Sequence, residues 1–143
     1  MTDSITGLIV PLLVPFADGG SVDESALRMH LQFLRDHGVR TLLVNGTTGE
    51  FFSLLPEERE RVLAIVRDAF AGTVLSQVGA SGLAESLEAL RRSEALGADG
   101  IVALPPFYFA DAPQAGIVQY LSALSDATPL PFFLYNFPKH TGN

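Results

Sequence analysis

The chain has 143 residues, 48% of them hydrophobic, which is enough for one ordinary domain, residues 1–143, with a real core. Its net charge of −7 and pI near 4.7 repel nucleic acid and anionic membrane surfaces, leaving a small molecule or a protein as the expected partner. Cysteine is absent, which excludes disulfides, thiolate metal sites and a cysteine nucleophile.

Taken in order, Met1-Thr2-Asp3 carries no basic leader, and the apolar run at 8–16 is too short to span a bilayer and contains Pro11 and Pro15. A soluble, cytoplasmic protein is expected. That run reads as a buried first strand which the two prolines make short or place at an edge. After the turn Ala17-Asp18-Gly19-Gly20, the stretch 21–23 offers an N-cap, and Leu27, Leu31 and Leu34 recur at helical spacing until Gly38. Thr41-Leu42-Leu43-Val44-Asn45 reads as the second strand, and Gly46-Thr47-Thr48-Gly49-Glu50 as a polar loop whose hydroxyls and amides are free to face a ligand.

Pro56 and the acids Glu57 and Glu58 open a second amphipathic helix carrying Val62, Ile65, Val66 and Phe70, and the charges 57–61 read as its solvated face. A third strand at 73–78, the loop Gly79-Ala80-Ser81-Gly82 and a third helix at 83–96 follow, with Gly97 as the stop. The fourth strand covers 100–104, the loop Pro105-Pro106-Phe107-Tyr108-Phe109 is aromatic, and a fourth helix covers about 113–125. The fifth strand, 132–135, is expected to be buried and to run out into Asn136, Phe137 and Pro138, with a loop beyond.

Four β-α units and a fifth strand, at about thirty residues per unit, demand a parallel α/β sheet with right-handed crossovers. Periodicity leaves two architectures open: a five-stranded doubly wound domain, or the first five strands and four helices of a β/α barrel. In either, strand ends converge on one face, so Thr47, Tyr108 and Tyr135 can form a hydroxyl chain that moves a proton to or from a carbonyl compound. The competing reading makes the Thr pair a turn cap and the tyrosines half-buried core aromatics. Gly46-Thr47-Thr48-Gly49 lacks the Lys of a phosphate-binding loop, and 79–82 lacks the spacing of a nucleophile elbow. His30 and His37 have no acidic or thiol neighbours at ligand spacing, so neither a metal nor another cofactor is expected. Glu50 reads as structural.

Gly46-Thr47-Thr48-Gly49-Glu50, then Pro106-Phe107-Tyr108, then Tyr135-Asn136-Phe137-Pro138 together resemble the dihydrodipicolinate synthase / N-acetylneuraminate lyase family of class I aldolases. The resemblance runs from Gly7 to Asn143. It implies a TIM (β/α)8 barrel, a homo-oligomer, usually a tetramer, and a Lys that forms a Schiff base with a 2-keto acid such as pyruvate. By that similarity Tyr135 is the proton-shuttling phenol, Thr47 its relay partner and Tyr108 a relay residue contributed across a subunit interface. Thr48, with Gly46 and Gly49 around it, holds the keto-acid carboxylate.

Two departures accompany the likeness. The family's Schiff-base Lys lies on a sixth strand, whereas the one Lys here is Lys139, in the stretch after Pro138. Dihydrodipicolinate synthases carry Arg where His140 stands, which turns the expected substrate away from the aspartate semialdehyde of lysine biosynthesis. Phe51-Phe52-Ser53-Leu54 with Tyr135-Asn136-Phe137-Pro138 more closely resembles the 2-keto-3-deoxy sugar acid aldolases and dehydratases of the family. The resemblance therefore implies a lyase incomplete within these residues, with the synthase itself and a non-catalytic half-barrel binding or assembly module as alternatives.

Overall fold

Hydrophobic periodicity becomes a single parallel sheet covered by helices in the computed structural model, which describes residues 5–108 and 111–143. Its elements are β1 (Val10–Pro11), α1 (Glu24–Asp36), β2 (Thr41–Val44), α2 (Pro56–Ala69), β3 (Thr73–Gln77), α3 (Leu83–Ala95), β4 (Gly100–Ala103), α4 (Gln114–Asp126), β5 (Phe132–Leu134) and α5 (Pro138–Thr141). The strand order is β1-β2-β3-β4-β5, all neighbours parallel. A doubly wound sheet would carry its first strand inside, so this order excludes it and leaves the β/α barrel, of which these strands form one side.

The registers Leu42↔Val74, Ser76↔Ile101 and Val102↔Phe133 bring the C-terminal ends of β2 to β5 to one edge of the sheet. Central strands β3 and β4 are almost wholly buried, as a parallel strand covered on both faces must be. At the margins β1 is two residues long, and β5 is half-buried to exposed, not the buried strand the sequence suggested. The prolines explain β1: each removes a ladder donor. Beyond β1, the carbonyl of Pro15 accepts from Asp23 N and Phe16 bridges Val22, so the chain turns away toward α1.

One core cluster packs Leu27, Leu31 and Leu34 of α1 and Val62, Leu63, Ile65 and Val66 of α2 against Leu42, Val44 and Val74. A second joins Leu90 of α3 and Tyr120 and Leu124 of α4 to Ile101 and Ala103. Asp23 caps α1 by accepting from Ala26 N, and Gly38 takes a left-handed φ of 80° just beyond its end. In α2 the Glu58 carboxylate reaches back to accept from Leu55 N at 2.8 Å. Ion pairs lace the outer helices: Glu24 takes Arg28 and Arg61, Arg28 also takes Asp68, and Arg92 takes Glu60 and Glu88. Among the described residues no helix is long and apolar enough to cross a membrane.

Candidate active site

The polar segment after β2 is not an open loop. It winds into two 3-10 turns, Thr47–Gly49 and Phe51–Ser53, joined by Glu50 in the left-handed region at φ 51°. The bonds Gly49 N→Gly46 O, 3.1 Å, and Glu50 N→Thr47 O, 3.0 Å, close the first turn. Gly46 and Gly49 are buried, and a Cβ on Gly49 would meet Leu12 O at 2.9 Å, so only glycine lets this turn lie against the chain leaving β1. Thr47 is thereby held half-buried, Thr48 stands exposed beside it, and the Glu50 side chain faces solvent.

Tyr135 follows β5 directly. Its N–H extends the ladder by donating to Ala103 O at 2.9 Å, which fixes the residue over the end of β4. From there its hydroxyl donates to Thr47 Oγ1 at 3.2 Å, spanning 88 residues of sequence and the ends of β3 and β4. Phe137 stacks on Tyr135 with ring centroids 5.7 Å apart and a 13° interplanar angle, and His140 meets Phe137 edge-on at 4.3 Å. Two hydroxyls in contact at the carboxyl ends of strands, one on a stacked ring, form a unit that can both give and take a proton.

Tyr108 lies in the loop after β4, 84% exposed, with φ 87°. Phe109, named with it in the sequence, lies outside the described residues. Lys139 and His140 are exposed on α5, a one-turn helix in a stretch the sequence suggested to be loop. Among the described residues no cluster of three or more His, Cys, Asp or Glu is arranged to hold a metal, and the His37 ring nitrogen Nδ1 instead meets Phe33 O at 2.8 Å. A cavity of about 170 Å³ opens between α2 and α3, with Arg59, Gln77 and Glu85 among its walls, but neither Tyr135 nor Thr47 lines it.

Sequence reasoning missed Arg59. Assigned to a solvated face, its guanidinium Nε donates to Phe51 O at 2.9 Å and Leu54 O at 3.1 Å, and its plane lies over the Phe51 ring. It thus fastens the second 3-10 turn to α2. The signal was available: helical side chains lean toward the N-terminus, so a residue three positions after a Pro at the helix start reaches the preceding turn.

The dihydrodipicolinate synthetase family model matches residues 4–143, nearly the whole chain. The chain belongs to this family. Among its curated relatives, a 4-hydroxy-tetrahydrodipicolinate synthase of Staphylococcus haemolyticus is 37% identical over 137 residues, covering 94% of this chain and 46% of the relative. A 2-dehydro-3-deoxy-phosphogluconate/2-dehydro-3-deoxy-6-phosphogalactonate aldolase of Sulfurisphaera tokodaii is 33% identical, with 94% and 46% covered. Among solved structures of the family, YagE, a prophage protein of E. coli K12 in complex with pyruvate, superposes with a TM-score of 0.90 at 32% identity, covering 96% of this chain and 46% of that one. The chain spans about half the length of the family members it matches.

Proposed function

We propose that these 143 residues form a single domain supplying the N-terminal side of a Schiff-base lyase barrel, acting on pyruvate plus an aldehyde or on a 2-keto-3-deoxy sugar acid. The observation that carries this is the Tyr135 Oη–Thr47 Oγ1 hydrogen bond, which sets a phenol and its relay at the strand ends where barrels of this kind place their chemistry. A relative named as an aldolase and a neighbour holding pyruvate support the substrate class.

In this reading an amine adds to the C2 carbonyl of the keto acid, and the oxygen leaves as water when the Schiff base forms. Tyr135 delivers a proton to that leaving oxygen, and its phenolate then takes a proton from the C3 methyl of pyruvate to give the enamine, which restores the phenol. In the aldol direction it protonates the oxygen of the accepting aldehyde, and in cleavage it takes that proton back. Thr47 relays the proton, and Tyr108 extends the relay from a second copy of the chain in a homo-oligomer. Thr48, with the turn built on Gly46 and Gly49, holds the substrate carboxylate. The amine comes from outside these residues: Lys139 is exposed and lacks the desolvating surroundings that activate a nucleophilic amine.

His140 disfavours the synthase reaction, because it replaces the Arg by which the family's synthases help bind the second substrate's carboxylate. The stretches Phe51-Phe52-Ser53-Leu54 and Tyr135-Asn136-Phe137-Pro138 favour the sugar-acid substrates. The name of the 37% identical relative favours the alternative, condensation of pyruvate with aspartate semialdehyde. Borohydride reduction of the native polypeptide in the presence of pyruvate, followed by peptide mapping, tests the central step. We expect one covalent adduct on a lysine outside 1–143. An adduct on Lys139 would overturn the assignment of the amine, and no adduct would favour a binding or assembly module.

A further inference from the structure

We infer that Ser81 and Asn143 are positioning residues that hold the backbone entering Tyr108 and so aim its phenol; this rests on the relay role given to Tyr108 above. A tyrosine at φ 87° sits where a side chain is disfavoured, and such a conformation persists only when its surroundings over-determine it. The two carbonyls that precede Tyr108 are both held by side chains from neighbouring strand-end segments. Ser81 Oγ donates to Phe107 O at 2.9 Å from the loop after β3, and Asn143 Nδ2 donates to Pro106 O at 2.9 Å from the turn after α5. The loop after β4 is therefore gripped from both of its neighbours in the sheet.

Each donor is itself anchored. Ala80, next to Ser81, gives its N–H to Ser86 Oγ at 2.9 Å, while its carbonyl accepts from Tyr120 Oη at 2.9 Å. Ser86 and Tyr120 also share a 2.6 Å hydrogen bond, and both are buried. Gly79 lets this loop ride on the end of β4, since a Cβ there would fall 2.5 Å from Leu104 N. On the other side, Thr141 is buried, its hydroxyl donates to Phe137 O, and Gly142 at φ 74° turns the chain so that Asn143 reaches Pro106. Position thus passes from buried hydroxyls to Ser81, to the Phe107 carbonyl, to Tyr108. The Phe107 ring, edge-on to Phe51 at 5.9 Å, adds a third restraint.

The test uses the native polypeptide with Ser81→Ala, Asn143→Ala and the pair. In a crystal structure of the pair we expect Tyr108 to leave the left-handed region; a φ still near 87° overturns the inference. In kinetics each single variant should lower kcat about threefold to tenfold, the range set by one neutral hydrogen bond, with KM for the keto acid unchanged. Ser81→Thr should restore the rate, and in a Tyr108→Phe background the loss should vanish. A loss of equal size in that background, or none in either, counts against positioning. If pyruvate leaves no borohydride adduct on the wild type, the lyase reading fails, while the Tyr108 φ still decides this one.

Discussion

Replacing Tyr120 with Phe removes one oxygen from the interior and leaves the ring, so its effect isolates the buried hydroxyl cluster. That oxygen donates to Ala80 O at 2.9 Å, meets Ser86 Oγ at 2.6 Å and accepts from Ala80 N at 3.1 Å. Ser86 can still serve the Ala80 N–H, but the Ala80 carbonyl loses its side-chain donor at a residue only 3% exposed. A buried acceptor left unpaired costs about 1–3 kcal/mol, and no methylene-sized cavity adds to it, so about 2 kcal/mol is expected. With a urea m-value of about 2 kcal/mol/M, the unfolding midpoint should fall by about 1 M at unchanged m. Burial also pushes the Tyr120 phenol above its ordinary value, against the hydrogen bonds with Ser86 and Ala80 that pull it down. The folded state therefore keeps this proton to higher pH than the unfolded chain does. The resulting stability is fully present below about pH 10 and is lost as pH rises through the folded-state value. Urea titrations from pH 8 to 11 should show this alkaline loss in the wild type and a smaller one in Tyr120→Phe. A midpoint shift below about 0.2 M, or parallel pH curves for the two proteins, would refute the reasoning.

Gly79→Ala should destabilise by about 1–3 kcal/mol in the same assay, because the new Cβ meets backbone atoms of Leu104 at 2.5 and 2.6 Å that cannot rotate away. Thr47→Val should lower lyase turnover by about tenfold while leaving thermal stability nearly unchanged, as measured by steady-state kinetics beside a melting curve, since it removes one partner of a half-exposed hydrogen bond. Glu24, held below the ordinary carboxylate range by Arg61 and Arg28, contributes stability that is present above its unfolded-state value and lost as pH falls through the folded one. Glu24→Gln should therefore be less stable than wild type at pH 7, equal to it at about pH 2, and equal to it at about 1 M salt, where exposed charges are screened.

The elements were legible in the sequence because their signals are local: Leu27, Leu31 and Leu34 repeat at helical spacing, and apolar runs end at Gly38, Gly72 and Gly97. Their bounds moved by a residue or two where caps decide, as at Phe70, which the periodicity assigned to α2 but which lies just beyond it as C-cap. The strand order was not in the periodicity, since a doubly wound sheet and a barrel share one β-α rhythm; the parallel registers separate them. Of the candidate site, Tyr135 and Thr47 were legible from their places at strand ends, and the fold brings them into contact. Arg59, Ser81 and Asn143 were not, because each acts through a backbone carbonyl, and any residue can supply a carbonyl. The short helix α5 escaped for a related reason: one turn begun by Pro138 has no apolar repeat to betray it.

Exchange of the pyruvate methyl protons with deuterium, followed by proton NMR, asks most directly whether Tyr135 moves protons for a Schiff-base intermediate. With the native polypeptide in heavy water, the methyl signal should decay in the wild type, and the rate should fall about 10²- to 10⁴-fold in Tyr135→Phe with the borohydride adduct still formed. Exchange at the same rate in Tyr135→Phe would contradict the account.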